Sequence, residues 1–204
     1  MAIGDAAGAK GLKVYSASDL VNLGYQQNNQ RGDEIAAVMT RADKLEAQTI
    51  SVPKFSVRRS TNGQNCAAEK WTQMTAGAWG SPKKSVGGFT WSGGVLTVPR
   101  AGVYMVHADA HFYSDDFVTA AAQITRNTTS LDTTNTVAKG EASQYSEPGE
   151  TTNPSVSAIG FLVPLNAGDQ LRVFLLQRNR GGQTRNTGSH EYDLQFEVLW
   201  MDNL

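Results

Sequence analysis

The sequence predicts an all-β sandwich with Greek-key connections, preceded by a polar arm and one short α-helix. Two observations carry this. First, β-patterning dominates from residue 50 onward, as short runs bounded by turn residues. Second, two segments are pairs of such runs joined by a turn that their residues make compulsory. Val95-Leu96-Thr97-Val98 passes through Pro99-Arg100-Ala101-Gly102 into Val103-Tyr104-Met105-Val106, and Ile159 to Leu165 passes through Asn166-Ala167-Gly168-Asp169 into Leu171 to Leu176. Pro99 fixes φ for a turn, and Gly168 supplies backbone freedom where a Cβ would clash.

Residues 1–31 are small and polar, with the run Gln26-Gln27-Asn28-Asn29-Gln30 and scattered apolar residues at Leu12, Val14, Tyr15, Leu20, Leu23 and Tyr25. That is too sparse for a core, so the segment is expected to order only when laid on something else, as an anchoring arm. Residues 32–49 form the clearest helical pattern. Asp33 and Glu34 suit the positive end of a helix dipole, and Ile35, Val38, Ala42 and Leu45 follow a 3, 4, 3 spacing over nearly two heptads. Two heptads are marginal alone, so the helix is expected either to associate with its copies as a stalk beside an assembled head or to pack on the head's base or on another protein. Residues 50–204 are the head. Strands are expected near 52–59, 69–74, 86–91, 95–98, 102–113, 118–126, 134–139, 155–165, 169–178 and 191–201. Residues 80–84 and 181–189 are loops by composition. Residues 127–154, rich in Thr, Ser, Asn and Glu, are expected to be a long exposed excursion with a short strand near Thr134–Val137.

Composition excludes several classes. The net charge is −1, which gives no electrostatic claim on nucleic acid or membrane. No apolar run approaches the roughly 20 residues of a membrane span. The opening residues lack the basic start and apolar stretch of a secretory signal. Cys66 is the sole cysteine, so no intrachain disulfide forms. It is expected as a small packed residue, with an interchain bridge or reactive thiol as the alternative.

The hairpin residues also carry a family likeness. Gly88-Phe89 with Leu96-Thr97-Val98-Pro99-x-x-Gly102-Val103-Tyr104 resembles the signature of the C1q/TNF-like jelly-roll family. Leu165-Asn166-Ala167-Gly168-Asp169-Gln170-Leu171 resembles its penultimate hairpin. Phe55-Ser56-Val57-Arg58-Arg59 resembles the opening strand and Phe196-Glu197-Val198-Leu199-Trp200 the closing one, although Asp193-Leu194-Gln195-Phe196 replaces the usual Ser-Gly-Phe approach. The likeness spans roughly residues 52–204. It implies a homotrimer in which Tyr104, Phe112, Phe161, Phe174 and Phe196 fill the three-fold axis. The apolar character of 102–112 on nearly both faces agrees with a strand covered on two sides.

Chemical constellations are few. His107, Asp109 and His111 alternate along one strand and so emerge on one face. They form the sole candidate metal cluster, and a hydrogen-bonded surface cluster is the preferred reading. Asp115-Asp116 lacks the spacing of a calcium loop. Ser189-His190-Glu191 is a local string, and no nucleophile elbow, Walker loop or dinucleotide fingerprint occurs. No enzyme activity and no cofactor are expected. Trp79, Arg180 and Arg185 are the candidate receptor contacts, Trp79 because its small-residue surroundings suggest exposure.

These readings converge on a structural component of a bacteriophage virion, assembled in the bacterial cytoplasm. The arm docks onto other tail or capsid proteins, and the head faces a host glycan or protein, as in a minor tail protein. A capsid decoration protein or head fibre, or a non-viral bacterial C1q-like surface-binding module, are the alternatives.

Overall fold

A computed structural model describes residues 9–10, 24–50, 52–112, 117–131, 133–143 and 154–203, with the side chains of α1 described over 30–44. The chain divides into two compact units, Met1–Ser51 and Val52–Leu204.

The first unit contains α1 (Gly24–Ile50), which begins eight residues before the predicted start at residue 32. Gly32 lies inside the helix, and no acidic residue occupies its first turn. The dipole signal from Asp33 and Glu34 therefore belongs to the helix middle. Four of the six residues over 26–31 are Gln or Arg, good helix formers, and the helix runs on through Gly32 despite the roughly 1 kcal/mol that an interior glycine costs. Ile35, Val38 and Met39 are exposed and Ala36 is buried. Of the expected stalk residues, Ile35, Val38 and Ala42 form an exposed stripe, while the Leu45 side chain lies outside the described residues. The anchoring candidates Leu12, Val14, Tyr15, Leu20 and Leu23 lie outside them too, as does the Tyr25 side chain.

The second unit is all-β. Its strands are β1 (Lys54–Arg58), β2 (Asn65–Cys66), β3 (Thr72–Gln73), β4 (Lys84–Val86), β5 (Thr90–Ser92), β6 (Val95–Thr97), β7 (Gly102–His111), β8 (Phe117–Arg126), β9 (Thr136–Ser143), β10 (Ser155–Leu165), β11 (Gln170–Asn179), β12 (Arg185–Asn186) and β13 (Leu194–Asp202). One sheet has the order β10-β7-β13-β1-β4 and the other β5-β6-β11-β8-β9, with β3 also on β11. The chain changes sheet between β4 and β5, β6 and β7, β7 and β8, β9 and β10, and β10 and β11, and returns to the first sheet at β13. This alternation of antiparallel strands is a jelly roll. The ladders fall on the predicted runs with three differences: the run 86–91 is split, β4 joining the first sheet and β5 the second; β9 extends to Ser143, so a paired strand occupies part of the expected 127–154 excursion; and β2 and β12 form where no strand is predicted.

The core lies between the sheets. β7 alternates without a break: Tyr104, Val106, Ala108 and Ala110 point inward, and Val103, Met105, His107, Asp109 and His111 point outward and are partly exposed. The strand is therefore covered fully on one face only. Tyr104, Phe112 and Phe196, expected at a subunit axis, are instead wholly buried within the sandwich. Phe196 packs with Phe55, Trp79 and Trp91, and Tyr104 meets Phe89 edge-on. The Tyr104 hydroxyl donates to the Arg100 carbonyl at 2.7 Å, pinning the corner that enters β7. Phe174 is also buried, on the outer face of the second sheet, opposite Gln73 and Gln123. Of the five aromatic candidates, Phe161 alone is exposed, at 70%. The family likeness marks which strands pack and leaves open which face each aromatic takes. Strand parity decides that.

The Asn166–Asp169 turn is tied to the loop after β8. Asp169 accepts from the Asn166 backbone N–H at 2.8 Å and from the Asn127 amide at 2.6 Å, while the Asn127 carbonyl oxygen accepts the Gln170 N–H at 2.7 Å. This exchange holds Asn127 at φ 58° and lets Gly168 turn at φ 88°.

Candidate functional site

The outward face of the first sheet is the surface with the clearest chemical division. Register places Met105 opposite Leu199, His107 opposite both Ile159 and Glu197, and Asp109 opposite Ser157. One end is apolar and the other polar. His107 Nε2 lies 3.0 Å from Asp109, and His107 Nδ1 lies 3.9 Å from Glu197. The Ser157 hydroxyl also donates to Asp109. His111 turns away, with Nδ1 3.2 Å from Asp193. The row His107, Asp109 and His111 is thus divided between separate carboxylate partners, and among the described residues no group of three has the makings of a metal site.

At the sheet's edge, β10 carries a register shift between Gly160 and Val163. Leu162 there adopts φ 54°, a left-handed conformation that a leucine rarely takes. The bulge defeats the usual alternation, so Phe161 and Leu162, neighbours in sequence, are both 70% exposed, with Ile159 beside them at 45%. No periodic reading of Ile159–Leu165 would have placed both outside.

One end of the lobe holds a cleft of about 520 Å³ lined by residues including Arg59, Ser60, Lys83, Ser189 and Glu191. Glu191 pairs with Lys83 at 2.9 Å and Arg58 at 3.2 Å, and these partners hold its carboxyl below the ordinary value, with the Lys83 hydrogen bond first among the causes. Arg58 stacks 4.1 Å above the exposed Tyr192 ring. Arg59 is committed to structure: its guanidinium donates to the carbonyls of Thr187, Ser60 and Thr61 and to the Asn186 side chain. This clasp joins the loop after β1 to β12.

The Ser189-His190 neighbourhood has no catalytic geometry. Ser189 Oγ and Asp193 both face the same nitrogen, His190 Nδ1, at 3.2 and 3.5 Å. A relay needs the hydroxyl on one ring nitrogen and the carboxylate on the other. Asp193 is a positioning group. Burial alone would raise its pKa, but the N–H groups of His190 and Ser189, each 2.6 Å away, together with His111, hold it below the ordinary value. A lowered folded pKa stabilises the fold above the unfolded value and loses that contribution as pH falls through the folded one. Asp193→Ala should cost about 1–3 kcal/mol near neutrality by leaving those donors without a partner. Urea unfolding at several pH values should show the gap to wild type narrowing as pH drops below the usual aspartate value of about 3.9. A gap independent of pH would contradict this role.

The receptor candidates divide. Trp79 is a correction: it is 5% exposed, edge-on to Trp91, with its indole N–H 3.4 Å from the Met74 carbonyl. A 3-10 turn over Ala76–Ala78 tucks it inward, and the small residues that suggested a loose loop are those that fit the turn. Arg180 is exposed, while Arg185 is partly buried in β12. Cys66 is wholly buried, and burial pushes its thiol up to about 12, so it is neither a bridge nor a reactive group in the folded head. Asp115 and Asp116 lie outside the described residues.

No protein-family model and no curated protein matches this chain. Solved structures do. Murine APRIL superposes with a TM-score of 0.53 at 16% identity, covering 73% of this chain and 98% of that one. Eiger TNF from S. frugiperda superposes with a TM-score of 0.55 at 18% identity, covering 76% of this chain and 95% of that one. The fold is that of the TNF-like jelly rolls. At these identities the fold is what is shared, and it is shared over nearly the whole length of the compared lobes. The role of this head must be argued from its own surfaces.

Proposed function

We propose that this chain is a non-catalytic, self-associating structural protein: a homotrimer of TNF-like heads carried on a bacteriophage particle, docked by its N-terminal residues and placed as a minor tail protein that meets the host. One observation carries the self-association. The edge strand β10 exposes Ile159, Phe161 and Leu162 together, beside a sheet face whose Met105 and Leu199 are also apolar. An edge strand with an apolar knob is an aggregation liability unless a defined partner covers it. A second copy brings both a matching knob and a matching shelf, and cyclic symmetry closes such a contact. The exposed stripe of Ile35 and Val38 on α1 favours the same arrangement.

The virion placement rests on organisation. A compact head is preceded by a separate unit that contains α1 and a polar, apolar-poor segment suited to docking. The disulfide-free head suits assembly inside a bacterial cell. Mass photometry of the full chain should give a three-chain species. Phe161→Glu combined with Leu162→Asn, the asparagine tolerating the left-handed backbone, should give single chains with unchanged circular dichroism. A wild-type monomer at micromolar concentration would end the trimer reading. Deleting residues 1–23, which leaves α1 whole, should preserve the trimer and abolish incorporation into particles. Antibody labelling of purified virions in negative stain should place the head at the tail, and label on the capsid would favour the decoration role instead.

A further inference from the structure

The outer face of the second sheet holds a hollow of about 330 Å³ lined by Trp71, Gln123, Leu131, Thr133, Thr136 and Lys139. Register explains its floor and walls. Gln123 pairs with Phe174 on one side and Lys139 on the other, so these three stand in one row across β11, β8 and β9. Thr72 pairs with the core residue Leu175, and Trp71, one residue earlier, falls on the opposite, outward side. Gln123 is only 6% exposed, and its amide donates to the Thr136 hydroxyl. Trp71 is half-buried, and Leu131 and Thr133 close the hollow from the loop after β8.

We propose that this hollow is a saccharide subsite that takes a neutral pyranose, with the apolar face of the sugar against the Trp71 indole and its hydroxyls on the Thr133, Thr136 and Lys139 side chains. The chemistry selects this class. An aromatic wall faces threonine hydroxyls and the Gln123 amide, which both donate and accept, beside the single donor Lys139, and this matches a ring with one C–H face and a rim of hydroxyls. The volume sits at the small end of the roughly 300–1,000 Å³ typical of ligand sites and accommodates one or two sugar rings. Charge disfavours the competitors. Lys139 is the only cation among the lining residues, and Glu141 lies two positions along β9 on the same face, so no net positive field serves a phosphate backbone or an acidic sugar. The end cleft beside Lys83 and Glu191 has no aromatic residue in its lining, pairs Lys83 with Glu191, and commits Arg59 to backbone carbonyls.

The site deepens the host-contact part of the proposed function, and its test needs neither a particle nor a trimer. The full chain is applied to a printed array of neutral pyranose oligosaccharides alongside uronic-acid-bearing ones. Neutral pyranoses should be retained, Trp71→Ala and Thr133→Ala should each weaken that binding at least tenfold, and Trp71→Phe should recover part of it. Tyr192→Ala, at the rim of the end cleft, should bind like wild type. Circular dichroism of each variant separates lost binding from lost fold, and the exposed Thr133 position keeps the test decisive if Trp71→Ala unfolds. Retention of no sugar, retention of acidic sugars only, or binding that responds to Tyr192 and not to Trp71 and Thr133 would each overturn the assignment. Such a failure leaves the trimer and the virion placement standing, since mass photometry and particle labelling test those separately.

Discussion

Phe196→Ala will lower the unfolding free energy of the head by about 3–5 kcal/mol, among the largest losses available to a single substitution. Phe196 is wholly buried near the middle of β13 and touches the rings of Phe55, Trp79 and Trp91. Alanine removes the contacts of three aromatic neighbours and leaves a cavity between two sheets that cannot close without breaking ladders on either side. Urea unfolding followed by tryptophan fluorescence should show the midpoint falling with an unchanged slope. Phe161→Ala supplies the contrast. That ring is largely exposed, so its removal should barely move the stability of an isolated head while weakening association. If the two substitutions cost a head monomer the same, the assignment of Phe196 to the interior and Phe161 to the surface is wrong.

Gly140→Ala should be nearly as damaging, at about 3 kcal/mol, for the opposite reason. A Cβ at Gly140 would sit 1.8 Å from the Ser157 carbonyl oxygen. That atom belongs to the backbone of β10, so no side-chain rotation relieves the clash. β9 and β10 are the edge strands of the two sheets and run against each other here, so the added methyl would pry apart the seam that closes the sandwich. Gly77→Ala is the control, because nothing lies within 4 Å of the Cβ it would carry. Thermal unfolding of the pair should show a large fall for Gly140→Ala and little change for Gly77→Ala. Equal shifts would mean that the seam yields readily.

Much of this lobe is legible in the sequence because its turns are chemically compulsory. Pro99 and the Asn166–Asp169 corner fix where strands end, and the long runs between them have no alternative to pairing. Contributions that come from the assembled fold are not legible. β2 and β12, two residues each, are brought together beside the buried Arg59 clasp and not by strand propensity. Trp79 sits among alanines and glycines that suggest exposure, and only the aromatic cluster beneath reveals its place. Four of the five aromatic candidates lie in strands and Phe112 lies one residue past the end of β7, but the inward turn of Tyr104, Phe112 and Phe196 removes them from any interface. Phe161 is the informative exception, because the bulge at Gly160–Val163 breaks the alternation that a sequence reading must assume. The subsite around Trp71 joins β3, β8, β9 and a loop, and its members are too dispersed along the chain to form a motif.

Cys66, part of the short strand pair β2–β12 and wholly buried with its thiol held protonated, has a consequence for how the head matures. No step of its folding waits on disulfide formation or reshuffling. The same lobe will form in reducing and oxidising media alike. Reductant added during purification should therefore leave the head's melting temperature where it was.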